Sequence, residues 1–472
     1  HFRAIFGEGA FNAAFVPIYT RRQAEQGEAS VRDFAAEALS TLAAAVVVAV
    51  LAAEIAMPWI IGVLAPGFHA EAVKFADAVT FGRIAFVFVG AVIVVSLLSS
   101  LLNAVGRFAL VALAPLALNF MLIAVLGALL AMGWRESRPA GMALVLTVLL
   151  AGFAQLALVA WGVRRAGIHL PPRLPSLDRD VKLLMARILP GLVLAGAGHF
   201  NMVVAAQLSS SLPSAVSWLY YADRIFQLPL GFVAAAIGVV LLPEVARAIS
   251  VDDHKGAIAA TSRTLEFGLL LVVPAALALA VLAEPIVDVI YRRGAFSATD
   301  SAATAQVLRA LGFALPGFVL VKALLPPYLA RESIRTPVLA ALLGVLANII
   351  VTFALIGPLG AVAAPIGVTV SAFVNAIVLA VGLTLTRGAP FDARAQRAIP
   401  KIVLISLGTM VVTYGLSRLF AGALAPETPF LLRAASLGLV CVLGVAAHVV
   451  FMLASGLVDR SRVLPWLRRH PT

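Results

Sequence analysis

Cysteine is nearly absent from this chain of 472 residues: Cys441 stands alone, which excludes intrachain disulfides and any Cys-based metal or redox motif. Charge is also scarce. Asp, Glu, Lys and Arg make up 12% of the residues, about half the share of a soluble domain. No G-x-x-x-x-G-K-[ST] loop is present, so the chain does not hydrolyse ATP by that route. No Ser/His/Asp set or carboxylate pair falls at a plausible loop, and His199 with Asn201 has no second His at ligand spacing. Neither an enzyme nor a metal site is supported. The formal net charge of +12 comes with no soluble domain and no basic patch interleaved with aromatics, so it does not point to nucleic acid.

What the chain has in abundance is apolar sequence, 62% of its residues. Windows of ~20 apolar residues predict an all-α polytopic membrane protein with helices near 31–64, 71–106, 109–133, 139–165, 181–208, 214–249, 254–290, 300–331, 336–357, 359–386, 397–420 and 428–457. A remnant over 1–20 precedes these twelve. Several exceed one bilayer crossing and must tilt or project into water.

The second half repeats the first. Pro17 and Pro243 are 226 apart, Phe68 and Phe296 are 228 apart, as are Arg107 and Arg335, and Asn119 and Asn348 are 229 apart. A repeat of membrane helices is the mark of a two-lobed transporter that handles its substrate where the lobes meet. The domain reading is an N-lobe over 1–166, a Pro-rich cytoplasmic linker over 167–180, a C-lobe over 181–386, two extra helices over 397–457 and a basic cytoplasmic tail over 458–472. Residues 181–223 have no first-copy counterpart, so the repeat predicts about fifty further residues upstream and a whole of fourteen spans.

Of the 35 Lys and Arg residues, 23 lie on the side of the loops near 18–34, 105–110, 164–187, 244–264, 331–336 and 386–401 and the tail; seven lie on the other. The richer side is cytoplasmic by the positive-inside rule. Six spans per copy is an even number, so the two copies share one orientation: a parallel repeat.

Five bases remain at membrane depth: Arg3, Arg83, Arg224, Arg309 and Lys322. A central Arg or Lys costs ~2.5–3.5 kcal/mol on insertion scales and therefore tends to face a cavity or a partner. Arg224 lies in WLYYADRIFQLPLG, before Pro229 and Gly231, which can break the helix. Its symmetry position is two turns from Arg3, and paired guanidinium forks suit a pyrophosphate. The competing reading is a structural ion pair, Arg224 with Asp223 or Arg3 with Glu8. Arg83 and Arg309 read as interfacial snorkelling residues. Lys322, ahead of Pro326 and Pro327, either lines the cavity or pairs with an acid such as Glu266. Asn119, Asn348 and Asn375 read as interhelical hydrogen-bonding residues.

FRAIFGEGAFNAAFVP (2–17), APGF (65–68), LNAVGRF (102–108), AVSWLYYADR (215–224), GVVLLPEVAR (238–247), RGAFSATD (293–300) and VKALLPPYLARESIRTP (321–337) follow one another in the order of a known family. On these stretches the chain resembles the lipid II flippase family, MurJ or MviN, of the multidrug/oligosaccharidyl-lipid/polysaccharide exporter superfamily. The resemblance implies a fourteen-helix bacterial inner-membrane protein in which two six-helix lobes enclose a cavity and two further helices form a lipid-facing groove. Its substrate would be lipid II, an undecaprenyl-pyrophosphate-linked muropeptide, moved to the outer leaflet for peptidoglycan synthesis.

The family's cavity arginines fall at Arg3 and Arg224, with Glu8, Asp223 and Lys322 as supporting or cavity-lining residues. The family's double arginine is Arg3-Ala4 here, one base fewer. No cofactor is implied, coupling to an ion or to the membrane potential stays open, and cell-wall synthesis proteins are candidate partners. A drug/ion antiporter of the same superfamily would favour an acidic, aromatic lining where this chain has arginines. A flippase for another polyprenyl-linked glycan, a transporter of the other parallel-repeat superfamily, a polyprenyl-phosphate enzyme and a non-transporting scaffold are the remaining alternatives.

Overall fold

A computed structural model of the chain describes residues 10–134, 137–171, 173–176, 178–237, 242–331 and 333–457. Among them every regular element is helical. They are α1 (Ala10–Leu64), α2 (Ala72–Ala104), α3 (Phe108–Ala131), α4 (Arg138–Arg165), α5 (Arg179–Ser209), α6 (Ala215–Ala236), α7 (Leu242–Ser250), α8 (His254–Tyr291), α9 (Ala298–Gly312), α10 (Ala314–Leu324), α11 (Pro326–Leu329), α12 (Arg335–Leu359), α13 (Ala363–Arg387), α14 (Ala393–Leu419) and α15 (Phe430–Ala454), with single 3-10 turns at Pro66–Ala70 and Gly360–Val362. Nine described segments are long and apolar enough to cross a membrane. One of them, Arg335–Thr386, holds two helices, α12 and α13. α5 and α6 are further helices at the positions of the expected spans 181–208 and 214–249 but are not among these segments.

The chain forms two compact units, His1–Val203 and Val204–Thr472. Their boundary falls inside α5 rather than in the Pro-rich segment 167–180, because Val181, Leu184 and Ile188 of α5 are buried in the first unit's core with Phe15, Phe34, Leu98, Leu102 and Val163. The segment itself is fastened to α1. Ser176 gives its carbonyl to the Thr41 hydroxyl (2.8 Å) and its N–H to the same oxygen (3.0 Å), Arg173 pairs with Asp33 (2.6 Å), and Arg21 and Arg22 pair with Asp180 (3.2 and 3.3 Å).

The repeat recurs inside each unit. Long helix α1 turns at Gly27, where φ is +81°, a conformation that costs glycine little and most L residues much. In the second unit α7 ends and α8 begins around Asp252, at φ +55° and 225 residues on; Asp is among the few side chains that visit this region. The closest correspondence is a side-chain bond. Arg83 Nε on α2 donates to the Glu54 carbonyl of α1 at 3.1 Å, and Arg309 Nε on α9 donates to the Ala280 carbonyl of α8 at 3.1 Å, each reaching back 29 residues. Both donors and both acceptors are 226 apart. In the first unit the cause is plain: Pro58 lacks the N–H that would bond Glu54 in the helix, and a carbonyl left unsatisfied in lipid costs several kcal/mol. Arg83 and Arg309 are thus anchored by their Nε to backbone. Each also has a loose carboxylate neighbour, Glu54 at 4.0 Å and Glu284 at 3.8 Å.

The same logic docks the trailing helices. Pro274 frees the Leu270 carbonyl of α8, and His448 of α15 has Nε2 3.0 Å from it. A carbonyl only accepts, so Nε2 carries the proton and Nδ1 faces the Thr409 hydroxyl of α14 at 3.0 Å. Arg433 of α15, 6% exposed, donates to the carbonyls of Asp288 (3.3 Å) and Pro426 (3.2 Å). Leu265, Leu269, Ala398 and Ile402 make one apolar seam between α8 and α14, and Leu282, Val289, Leu437 and Val440 another between α8 and α15. Both trailing helices therefore belong to the second unit, on α8.

Several sequence expectations are corrected. Within the span read as 214–249 the described helices are α6 and α7, and residues 238–241 between them lie outside the described residues. Pro229 does not break α6, which runs on to Ala236. The span read as 300–331 is instead the broken one, interrupted at Phe313 and again at Leu325, where Pro326 and Pro327 follow. Asn348 is buried between α12 and α13, bonded to Thr352 (3.0 Å) and pressed by Gly367, whereas Asn119 is exposed and bonds no other helix.

Candidate functional site

α6 is not among the nine segments apolar enough to cross by composition. Trp218, Tyr220, Tyr221, Asp223, Arg224 and Gln227 dilute it, all but Gln227 in its first half. Its buried face carries Ala215, Leu219, Ala222, Asp223, Ile225, Phe226 and Val233. Its other face, Ser217, Tyr220, Arg224, Leu228, Gly231, Phe232 and Ala235, is exposed. These positions recur three or four residues apart and so form one stripe. The stripe is polar towards the start of α6 and apolar from Leu228 onwards.

Arg224 is the charge of that stripe. Its guanidinium carbon lies 4.6 Å from the ring centroid of Tyr220, one turn back, and that is its contact among the described residues. It forms no ion pair there, in contrast to Arg83, Arg309 and Arg138, each of which has a carboxylate. The structural ion pair with Asp223 is not made. Adjacent helical residues point about 100° apart, which turns Asp223, 3% exposed, into the lobe while Arg224 faces out. There Asp223 accepts a short hydrogen bond from Gln227. Of the two roles the sequence allowed Asp223, supporting or cavity-lining, its inward bond from Gln227 fits the supporting one.

The start of α6 is held by its neighbours. Trp218 Nε1 donates to Asp300 Oδ1 (2.9 Å), and Asp300 also accepts from the backbone and hydroxyl of Ser297 (3.0 and 2.7 Å), closing the capping box of α9. Tyr221 packs on Tyr291 (4.9 Å between centroids) and edge-on to Phe296 (5.3 Å), and the Tyr291 hydroxyl donates to the Tyr221 carbonyl (3.3 Å). RGAF, one of the repeat landmarks, thus supplies the ring that fixes the YYADR turn. These aromatic contacts were not legible from the repeat; an aromatic four residues before an arginine was the available signal for Tyr220 beneath Arg224.

Lys322 lies in the last turn of α10, half-buried, just ahead of the Leu325 break. The ion pair of Glu266 is with Arg394 of α14 (3.5 Å). Arg3 and Glu8 lie outside the described residues. No group of three or more His, Cys, Asp or Glu is arranged to hold a metal among the described residues.

Comparison with known proteins gives a consistent picture. The profile of the family described as lipid II flippase MurJ matches residues 1–456. The probable lipid II flippase MurJ of Rhizobium meliloti is 36% identical over 473 residues, covering 99% of this chain and 87% of its own. Among solved structures, a lipid II flippase MurJ in an inward closed conformation superposes with a TM-score of 0.73 at 20% identity, covering 95% of this chain and 88% of its own. A multidrug resistance MATE family transporter of the MOP superfamily, inward-facing, gives 0.66 at 13% identity, covering 84% and 89%. At these identities the structures speak to the fold alone.

Proposed function

Because this chain belongs to the lipid II flippase MurJ family, we propose that it carries lipid II from the inner to the outer leaflet of the bacterial inner membrane, with Arg224 as a pyrophosphate contact. The observation that carries the site assignment is Arg224 itself: a guanidinium on a helix expected to span the membrane, exposed, resting on Tyr220 and without a carboxylate partner among the described residues. At ~2.5–3.5 kcal/mol, a central arginine needs a reason to be there, and an anionic headgroup supplies one.

The physical problem of flipping is to carry a polar, anionic headgroup through an apolar core while its polyprenyl tail stays in lipid. Arg224 offers two parallel N–H donors to phosphate oxygens, a geometry that lysine does not reproduce. The Tyr220 ring holds the side chain over its face without neutralising it. The polar-then-apolar stripe of α6 matches the polarity of such a substrate, with phosphate near Arg224 and prenyl carbon near Leu228 and Phe232. Arg3 is assigned as the second phosphate contact and Glu8 as a supporting residue beside it, while Asp223 supports α6 through Gln227. Lys322 is assigned as a cavity residue.

The repeat-related lobes, 1–166 and 181–386, would alternate access between the leaflets. α14 and α15, docked on α8, would guide the tail. No cofactor takes part in this scheme, and the return step is coupled to an ion or to the membrane potential. Cell-wall synthesis proteins are the expected protein partners. The test is complementation of a flippase-depleted strain by the complete reading frame, with lipid II at the outer face measured directly. Growth without Arg224 at normal protein abundance removes the site assignment.

A further inference from the structure

Two bases lie one turn apart near the start of α14, Arg397 and Lys401. Both are exposed, and among the described residues neither forms an ion pair or a side-chain hydrogen bond. Their neighbour Arg394 is engaged, with Nε 3.5 Å from Glu266 of α8. Asp392 holds the helix start further: its carboxylate accepts from the Ala395 N–H (2.8 Å), and its own N–H donates to the Ser262 hydroxyl of α8 (2.9 Å). The two free cations thus stand on a helix end that is already fixed, so a ligand orders little besides their side chains. They also open a stripe. Leu404 and Val411 follow on the same face, 70% and 64% exposed, whereas Ala398, Ile402 and Ser406 are buried on the other. No residue between Lys401 and Arg418 is charged, which puts Lys401 at the cytoplasmic boundary of the apolar core. The stripe runs from two cations at headgroup level to bare apolar helix at acyl depth.

We infer that this stripe receives the substrate before the central site does: Arg397 and Lys401 bind the pyrophosphate of a polyprenyl-linked precursor in the cytoplasmic leaflet, and the first part of its prenyl chain lies along Leu404 and Val411. The inference rests on the lipid II reading above. Side chains four residues apart on a helix are neighbours, so the pair presents the Arg397 fork to one phosphate and the Lys401 point charge to the other. The donors are side-chain N–H groups that no described residue occupies. A glycerophospholipid brings one phosphate and leaves one of the two cations unused, so the pair favours the pyrophosphate.

The test is native mass spectrometry of the complete protein titrated with undecaprenyl pyrophosphate. The parent should bind two equivalents, one through Arg224 and one on α14. Arg397→Gln with Lys401→Gln should keep the first and weaken the second by about 30-fold, about fivefold for each basic residue at a membrane surface. Because the double variant also thins the cytoplasmic charge, a further variant adds Ala389→Lys and Gln396→Arg at exposed positions off the stripe, and its second equivalent should stay weak. Parental binding by the double variant, or recovery when the charges are relocated, overturns the inference. Phosphatidylglycerol that displaces the α14 equivalent as readily as undecaprenyl pyrophosphate does also overturns it, leaving a general surface for anionic lipid. Arg224→Ala keeps the two readings apart: it should lose the other equivalent, and parental binding by it removes the Arg224 assignment while the α14 variants still decide this one. If the double variant does not accumulate, the phosphatidylglycerol competition in Arg224→Ala decides alone.

Discussion

Replacing Arg224 should separate folding from transport. In the fold its recorded contact is one cation–π interaction with Tyr220, worth about 0.5–1 kcal/mol at an exposed site. Removing the charge also relieves the ~2.5–3.5 kcal/mol that a central arginine costs on insertion. Arg224→Ala should therefore leave membrane abundance and thermal midpoint within error of wild type. A charge-assisted hydrogen bond to phosphate is worth about 1.5–3 kcal/mol, which corresponds to a loss of roughly 10- to 150-fold in headgroup affinity. Arg224→Lys retains charge but loses the fork and should recover only a small part. Tyr220→Phe keeps the ring and should transport; Tyr220→Ala lets the guanidinium wander and should fall between. The assay is complementation of a flippase-depleted strain by the complete reading frame, with immunoblot quantification of each variant and direct measurement of outer-leaflet lipid II. Full complementation by Arg224→Ala would refute the phosphate-contact role, and a collapse in its abundance would show that Arg224 is structural instead.

Four further outcomes follow from the packing. Arg83→Ala should lower stability by about 1 kcal/mol through the lost bond to Glu54 while leaving complementation intact. In a Pro58→Ala background, which restores the helical N–H to that carbonyl, the same substitution should cost measurably less; additive midpoints would refute the freed-carbonyl account. His448→Phe strands the Leu270 carbonyl and should loosen α14 and α15 from α8 by about 1–3 kcal/mol, read as faster proteolysis within 388–430. Gly367→Ala drives a methyl into Asn348 and Thr352 between α12 and α13 and should destabilise by about 1–3 kcal/mol, seen as a lower midpoint with unchanged helical content.

How much of this was legible beforehand differs from residue to residue. Apolar runs near bilayer length predicted the helices because lipid obliges every backbone group to bond within its own segment. Repeat offsets predicted that Arg83 and Arg309 are equivalent, and their bonds to residues 54 and 280 bear that out. Snorkelling, the role assigned to both, missed the carbonyl each one caps, since a carbonyl has no sequence letter. Proline positions were visible, but not which would interrupt a helix: Pro229 is absorbed within α6, whereas Pro326 follows a break.

The sequence by itself determined the class of protein, the order of its helices, their repeat and the family, because each of these follows from composition, periodicity or motif order along the chain. Only the tertiary structure decided that Asp223 turns inward to Gln227 while Arg224 turns outward over Tyr220, that segment 167–180 is tied to α1 by Thr41 and Asp33, and that His448 and Arg433 seat the trailing helices on α8. These are contacts between residues as much as 178 positions apart. Which freed carbonyl meets which donor depends on how helices rotate and pack in three dimensions, and no local pattern records that.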